Sequence, residues 1–277
     1  MISKVWLTFD ALASSALGAV LFFAPHLVGD YVFQKVTDGV HWHLIRCVGG
    51  QFMAAGLASH LLKNSNKVTH TACYIMRIVA FLILILLYLE TSSVNPNLVR
   101  PIVMVIIKYG CLSGLAINVL LLLATGWPIG NSLMLDQPVG NGLYQLDCTA
   151  SICIGAAWLA FPKWLLHKQV IVTLDESHEL CGRVMGALFV CSFCVAQYAL
   201  HWPSYQDRKV GVRCRFVCCV AILSAQVWSQ VAYLRDWSAG HWYGIALYSI
   251  WTTISFFYLL CVEYYTPKAT DKQKKKN

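Results

Sequence analysis

Residues 10–25 read DALASSALGAVLFFAP, and residues 147–162 read DCTASICIGAAWLAFP. At a constant offset of 137, the second stretch matches the first at an Asp, an Ala, a Ser, a Gly and the closing Pro. The same offset continues without a gap to three further pairs, which are His41 with His178, Arg46 with Arg183, and Gly49 with Gly186. A chain that repeats a template in this way is predicted to hold two copies of one structural unit.

The composition indicates the solvent in which these units lie. Of the 277 residues, 58% are hydrophobic and only 12% are charged, and the mean hydropathy is +0.59. A soluble domain is roughly half apolar and about a quarter charged. Apolar runs of about 20 residues recur along the chain, and each can cross a hydrocarbon layer about 30 Å thick as a helix. The sequence therefore predicts an all-α, polytopic membrane protein.

We predict about eight transmembrane helices, arranged as two parallel four-helix repeats. They are placed at residues 5–28, 42–63, 70–90, 101–125, 142–166, 178–201, 211–234 and 241–262. Weaker echoes, such as Arg77 near the counterparts Arg213 and Arg215, extend the repeat beyond its second helix. Because each copy holds an even number of helices, both copies are expected to insert with the same orientation, related by a pseudo-two-fold axis along the membrane normal.

A stretch rich in helix-breaking residues separates the two copies, from Gly126-Trp127-Pro128 to Gly140-Asn141-Gly142. The predicted parts of the chain are a first repeat at 1–125, a linker at 126–141, a second repeat at 142–262 and a basic tail at 263–277. Residues 11–24 could also form the apolar core of a removable signal peptide. Their match to the fifth helix favours a helix that stays in the membrane.

The distribution of Lys and Arg predicts the orientation. With the N-terminus in the cytosol, the cytosolic segments hold ten of these residues and the opposite segments hold five. Positive charge prefers the cytosolic side, so both termini are predicted to be cytosolic. The net charge of +8 is then an orientation signal together with a basic tail, and binding to nucleic acid is not expected.

The last four residues are Lys274-Lys275-Lys276-Asn277. Lysines at the third and fourth positions from a cytosolic C-terminus resemble the dilysine signal by which coat-protein machinery returns membrane proteins to the endoplasmic reticulum. Such an address is read by a receptor on the cytosolic side. We therefore expect residence in the endoplasmic reticulum membrane, the alternative being a lysine cluster without a receptor.

Each unit resembles the small four-helix membrane proteins of the DoxX-like kind, in which a Pro ends the first helix and an Arg-x-x-Gly motif opens the second. The matching residues are Pro25 with Arg46-Cys47-Val48-Gly49, and Pro162 with Arg183-Val184-Met185-Gly186. The resemblance implies a four-helix bundle for each copy. It implies no activity.

Ionic residues inside the predicted spans cost about 2.5–3.5 kcal/mol each on insertion scales, so each is expected to face a partner or a wet cavity. Depth along the helices places Asp10 level with Arg77, and Asp147 level with Arg213 or Arg215. We predict these contacts as intramembrane ion pairs. Their simplest interpretation is structural, since they would pin one helix against another in each copy.

A second ionic layer is predicted near the opposite face. Arg46 and Lys108 lie at one depth with His41 and His43 close by, and Glu90 is the nearby negative charge. Like charges at one depth favour an anionic ligand, either a lipid headgroup or an acidic small molecule. The alternative is that the long basic side chains reach the interface without binding anything specific.

The cysteines and histidines show no recognised motif for a cofactor. All twelve cysteines fall inside the predicted spans, which argues against disulfides, and Cys191 and Cys194 form a C-x-x-C that suits either a redox pair or buried apolar packing. The histidine spacing matches no metal-binding motif. We expect neither a cofactor nor a metal.

Three classes of function remain open. The first is a non-catalytic membrane protein that binds a lipid or a membrane partner. The second is a transporter or channel of small molecules with its site between the repeats. The third is a lipid- or sterol-directed enzyme with His43, His60 or Glu90 as general acid or base. A polar path past the midplane would favour transport, and a side-opening apolar pocket that ends on His and Glu would favour the enzyme.

Overall fold

The structure, a computed structural model, describes residues 2–130 and 138–264 and is all-α. The helices in these ranges are α1 (Ile2–Phe23), α2 (Pro25–Val32), α3 (Gly39–Leu62), α4 (Lys67–Val94), α5 (Pro101–Thr125), α6 (Pro138–Ala160), α7 (Pro162–His167), α8 (Glu176–Ala199), α9 (Tyr205–Ala232) and α10 (His241–Tyr264). A short 3₁₀-helix covers Leu234–Asp236. Part of the predicted linker and the proposed retrieval signal at Lys274 and Lys275 lie outside the described residues.

Among the described residues, six helices are long and apolar enough to cross a membrane, as expected of a multi-pass membrane protein. They are α1, α4, α5, α8, α9 and α10. The other two long helices, α3 and α6, have 24 and 23 residues, which also suffices for a crossing. Both carry more polar side chains, among them His41, His43 and Arg46 on α3 and Asp147 on α6.

Two prolines end helices earlier than the sequence-based spans did. α1 ends at Phe23 rather than at residue 28, and Pro25 becomes the first residue of α2. α6 likewise ends at Ala160, and Pro162 begins α7. Proline has no backbone N–H and suits the first turn of a helix, so the chain bends at each proline and starts a new short helix.

Glycines allow the first helix of each half to approach its neighbour closely. A Cβ atom added to Gly49 of α3 would lie 2.7 Å from the carbonyl oxygen of Gly18 in α1. A Cβ added to Gly186 of α8 would lie 2.8 Å from the carbonyl oxygen of Gly155 in α6. The backbones therefore touch at both crossings, which is the packing that small residues permit between helices in lipid.

The inner helices form one row, in the order α4, α8, α3, α9. α3 packs along α9 and α8, and α8 packs along α4, whereas the consecutive helices α3 and α4 touch only briefly, as do α8 and α9. α5 covers α4 and α10 covers α9 at the two ends of the row. The resemblance implied a four-helix bundle for each half, and in the structure the inner helices of each half also pack on those of the other.

Short connections close one end of this array. An isolated antiparallel bridge joins Phe33, after α2, to Val99, before α5. A second bridge joins Val170, after α7, to Trp237, before α10. These bridges hold the peripheral helices to the loops that lead into α3 and α8, where the N-termini of these two helices meet.

Candidate functional site

The Asp10 carboxylate of α1 is bound by Arg77 of α4. Arg77 Nη2 lies 2.9 Å and Nε 3.2 Å from Asp10 Oδ2, and Ser59 Oγ of α3 donates to the same oxygen at 2.5 Å. Arg77 Nη2 also donates to Ser14 Oγ at 2.7 Å. Both charged side chains are largely buried. The structure thus brings together Asp10 and Arg77, which the sequence had placed at the same depth in the membrane.

Asp147 of α6 has an equivalent partner in α9. Arg215 Nε lies 2.5 Å from Asp147 Oδ1, and Arg215 Nη2 donates to Ser151 Oγ at 2.6 Å. The sequence predicted that either Arg213 or Arg215 would contact Asp147, and the ion pair with Asp147 is formed by Arg215. The guanidinium carbon of Arg215 also lies 5.5 Å from the ring centre of Trp251 in α10, within range of a cation–π contact.

A cavity of about 320 Å³ lies between α6, α9 and α10 and ends on the Asp147–Arg215 pair. Its walls are apolar and include Leu143, Ile154 and Ile254. Ser255, Tyr258, Tyr144 and Trp251 add further polar groups. Leu146, Leu247, Ile250 and Ile254 all line it and are exposed. The cavity therefore opens sideways, onto the outer surface of the helices.

Two positions of the first half carry larger side chains than their counterparts in the second half. Trp6 of α1 donates its indole N–H to Asn118 Oδ1 of α5 at 3.3 Å, and the residue 137 positions after Trp6 is Leu143. The ring of Phe81, four residues after Arg77, packs against Gly114. Cys219 stands four residues after Arg215. Two aromatic rings in one half are thus replaced by smaller groups in the other, and of these smaller groups Leu143 lines the cavity.

Two caps meet at the N-termini of α3 and α8. The Asp38 carboxylate accepts from the backbone N–H groups of Val40 and His41, and the Asp175 carboxylate accepts from those of Ser177 and His178. In each cap a ring nitrogen accepts from the backbone N–H of the aspartate, His41 Nδ1 from Asp38 at 3.3 Å and His178 Nδ1 from Asp175 at 3.2 Å. The same two nitrogens lie 2.9 Å from the Oδ1 atoms of these aspartates. Both helices therefore begin with the same capping box.

Contacts between the caps join the two halves. His178 Nε2 lies 3.0 Å from Asp38 Oδ2, and His41 Nε2 lies 2.7 Å from Ser177 Oγ. The imidazole rings of His41 and His178 stack with their centres 3.7 Å apart. We call Asp38, His41, Asp175, Ser177 and His178 the histidine cluster. Both histidines are buried.

Burial and hydrogen bonding act in opposite directions on the two carboxyl groups. Burial alone raises the pKa of Asp38, but hydrogen bonds from His178 and His41 outweigh it and hold this pKa well below its usual range. Burial also raises the pKa of Asp175. Hydrogen bonds from Ser177 and Lys35 lower this pKa by more, so it too lies below its usual value. Lys35 Nζ lies 3.2 Å from Asp175 Oδ2. Both carboxyl groups are charged at neutral pH.

The four residues expected to form an anionic site are not brought together. His41 belongs to the histidine cluster, and His43 Nδ1 is hydrogen-bonded to Ser229 Oγ of α9 at 3.1 Å. The Arg46 guanidinium lies 5.9 Å from the ring centres of Trp228 and Tyr233. The fourth residue, Lys108, is exposed on α5 with its ammonium over the ring of Tyr109. Of the four, only His43 and Arg46 are neighbours, one turn apart on α3, and His41 and Lys108 face other partners.

The candidate catalytic and redox residues lie apart from the cavity. Glu90 pairs with Arg183 of α8 rather than with Arg46, and His60 is exposed beside Lys63. Neither of these nor His43 lines the cavity. Cys191 and Cys194 are buried free thiols of α8. The side-opening cavity therefore ends on an ion pair. It does not end on the His and Glu side chains that a lipid- or sterol-directed enzyme was predicted to use.

Asp38 and Asp175 were not among the site residues predicted from the sequence. The offset of 137 relates them too, so the repeat could have pointed to both. We also expected no metal site. Within the described ranges, however, Asp38, His41 and His178 offer ligand atoms that all lie within 4.8 Å of one another, a spacing that can hold a metal ion.

Comparison with known proteins gives one match. The model of a family described as a domain of unknown function, DUF8292, matches residues 8–260. This match runs through both halves and the segment between them. No curated protein and no solved structure matches the chain.

Proposed function

The chain belongs to the DUF8292 family of domains of unknown function, and we propose that it is a non-catalytic, multi-pass protein of the endoplasmic reticulum membrane that binds a lipid between α6, α9 and α10. The observation that carries this proposal is the apolar cavity that opens sideways and ends on the Asp147–Arg215 pair. A soluble ligand would have to approach through lipid, whereas a membrane lipid already lies at the mouth of the cavity.

The chemistry of the cavity selects an amphipathic occupant. Its volume of about 320 Å³ is in the range of small-molecule sites, and its walls suit an acyl chain or a hydrocarbon ring. The charge of Arg215 is matched by Asp147, so the polar end of the lipid needs hydrogen bonding more than it needs negative charge. A hydroxyl or ester group could pair with Ser255 or Tyr258, which line the cavity.

We propose eight membrane crossings in two parallel repeats with both termini in the cytosol. Six helices meet the length and composition of a crossing, and α3 and α6 are as long and pack among them. Contacts related by the offset support a duplication: Gly18 with Gly49 and Gly155 with Gly186 are one such set. The excess of Lys and Arg in the proposed cytosolic segments supports the orientation.

Residence in the endoplasmic reticulum rests on the C-terminal lysines. Lys274 and Lys275 have the spacing of a dilysine signal, and the proposed orientation exposes them to cytosolic coat-protein machinery. Replacing both with serine should redistribute the protein to later compartments of the secretory pathway. An unchanged distribution, seen by fluorescence microscopy of a tagged chain, would contradict the retrieval signal and leave lipid binding untouched.

Mass spectrometry of lipids retained by the purified chain tests the proposed binding. In mild detergent the wild-type chain should retain one defined lipid species above the level of the bulk membrane. Ala150→Trp places an indole in the cavity that Ala150 lines, and should remove this lipid. Ala13→Trp is the matched control, because Ala13 stands 137 residues earlier on the exposed face of α1. It should leave the lipid in place.

Two results would contradict the proposal. One is a wild-type chain that carries only the bulk lipids of its membrane. The other is equal retention of the lipid by Ala150→Trp and by the wild type. Thermal unfolding of the three proteins in the same detergent shows whether each is folded.

Transport is a second candidate, and one observation favours it. A cavity of about 60 Å³ lies between the two halves and is lined by Gln51, Arg77, Asp147 and Arg215. Neither polar atom of the Gln51 amide has a hydrogen-bond partner among the described residues, which suits contact with water. A reconstituted chain that moves a small solute across vesicles, and loses this activity in Gln51→Leu, would favour transport over simple lipid binding.

A further inference from the structure

We propose that the histidine cluster binds a divalent transition-metal ion, preferably Zn²⁺, with Asp38, His41 and His178 as its ligands. These residues come from the N-termini of α3 and α8, so the ion would join the two halves of the molecule. The cluster is separate from the lipid cavity, and this proposal does not depend on the proposed function.

The donor set suits zinc. Two imidazole nitrogens and a carboxylate oxygen are ligands that Zn²⁺ uses commonly, and three protein ligands leave a position for water. Magnesium and calcium prefer oxygen ligands, so two histidines argue against both. The buried rings of His41 and His178 hold the nitrogens in place, and Asp38 is bound by backbone N–H groups at the start of α3.

The distances are close to those of a coordination sphere. One carboxylate oxygen, Asp38 Oδ1, lies 2.9 Å from His41 Nδ1 and 3.2 Å from His178 Nε2. Ligand atoms about 2.0–2.1 Å from a tetrahedral zinc are roughly 3.3 Å apart. All three ligand atoms lie within 4.8 Å of one another, so small movements of the side chains would bring them to these separations. The ion would take the place of a proton between His178 Nε2 and Asp38 Oδ2, and of the 3.3 Å hydrogen bond from the Asp38 backbone N–H to His41 Nδ1.

A second layer of contacts orients both imidazoles. If His178 binds through Nε2, its Nδ1 carries the proton and gives up the 3.2 Å hydrogen bond from the Asp175 backbone N–H. This Nδ1–H then donates to Asp175 Oδ1 at 2.9 Å, which is the carboxylate–histidine–metal arrangement of many zinc sites. If His41 binds through Nδ1, its Nε2–H donates to Ser177 Oγ at 2.7 Å. Ser177 Oγ in turn donates to Asp175 Oδ1 at 2.5 Å. Asp175 thus fixes the tautomers of both ligands.

Direct measurement of bound metal tests the site. The full-length chain, without a polyhistidine tag, is incubated with ZnSO₄ in detergent, passed through a desalting column and analysed by inductively coupled plasma mass spectrometry. The wild type should carry one zinc per chain. His178→Gln and Asp38→Asn should lose it, and Asn at residue 38 can still cap α3.

Two further variants separate metal binding from folding. His43→Gln changes a buried histidine of α3 that contacts Ser229 and lies outside the cluster, so it should retain the zinc. Asp175→Asn keeps a capping residue and all three ligands, and should weaken zinc binding by roughly 10–100-fold. A wild-type chain that emerges free of zinc, or equal zinc in the wild type, Asp38→Asn and His178→Gln, would overturn the proposal and leave a cluster joined by protons alone.

Discussion

Arg77 and Arg215 each place a guanidinium among apolar helices, where an unpaired charge is costly. Each is bound by an aspartate and by a serine of the same neighbouring helix, Asp10 and Ser14 in one case and Asp147 and Ser151 in the other. A carboxylate matches the charge, and the hydroxyl accepts a further N–H. The arginines are therefore tolerated inside the array, and they fix the rotation of α4 against α1 and of α9 against α6.

Removal of one partner should harm the protein more than removal of both. Arg77→Met leaves the Asp10 carboxylate buried without its cation, and we expect a loss of about 3–5 kcal/mol in unfolding free energy. The double variant Asp10→Leu with Arg77→Met should recover most of this loss. Lys108→Met is the control, because Lys108 is exposed on α5. Thermal unfolding in detergent measures all three, and a double variant no more stable than Arg77→Met would contradict the account.

Side-chain size also differs between the two halves at positions near the buried ion pairs. Trp6 and Phe81 fill the first half, and Leu143 and Cys219 stand in their places in the second. The sequence could predict the Asp10–Arg77 contact, because depth along two helices follows from counting residues. It could not predict the cavity or the scattering of Arg46 and Lys108, because these depend on which face of each helix turns inward.

At the scale of the elements, prolines and glycines decide where helices end and how closely they cross. α5 spans Pro101–Thr125, as predicted, because Pro101 starts it and Gly126 ends it with φ of +80°. The end of α1 was misplaced, because the residues after Pro25 form a new helix whose apolar composition resembles that of the one before it. The apolar composition was therefore enough to predict where the helices lie, whereas the positions at which they break follow from the prolines.

The crossing of α1 and α3 gives a prediction for Gly49. Gly49→Ala adds a Cβ atom 2.7 Å from both Gly18 O and Phe22 N, so the helices must separate. We expect a loss of about 1–3 kcal/mol in unfolding free energy. Gly110→Ala in α5 is the matched control, since a Cβ there meets nothing within 4 Å. It should be stabilising by roughly 0.5–1 kcal/mol, as alanine is favoured in a helix interior. Equal stability of the two variants would mean that α1 and α3 do not touch.

At the scale of the whole molecule, the two halves depend on each other. α3 packs on α9 and α4 packs on α8, so the row of inner helices alternates between the halves. The family match over residues 8–260 also treats both halves as one unit. The resemblance to four-helix proteins predicted four helices in each half. It could not show that the inner helices of one half pack on those of the other.

Expression of the chain in two pieces tests this dependence. Residues 1–130 and 131–277 expressed separately should each be degraded or aggregate, because α3, α4, α8 and α9 would expose the faces that they bury in the intact chain. Expressed together, they should assemble and copurify. Two pieces that are each stable and monomeric alone would show instead that the halves are independent bundles.

The central claim is that a membrane lipid lies between α6, α9 and α10 with its polar end toward Arg215. Electron cryomicroscopy of the full-length chain in lipid nanodiscs, with a bound antibody fragment to add mass, tests it most directly. The account predicts an elongated density in this cavity that continues into the lipid layer and is absent in Ala150→Trp. A map in which α10 closes onto α6, with protein side chains filling the space beside Asp147 and Arg215, would contradict it.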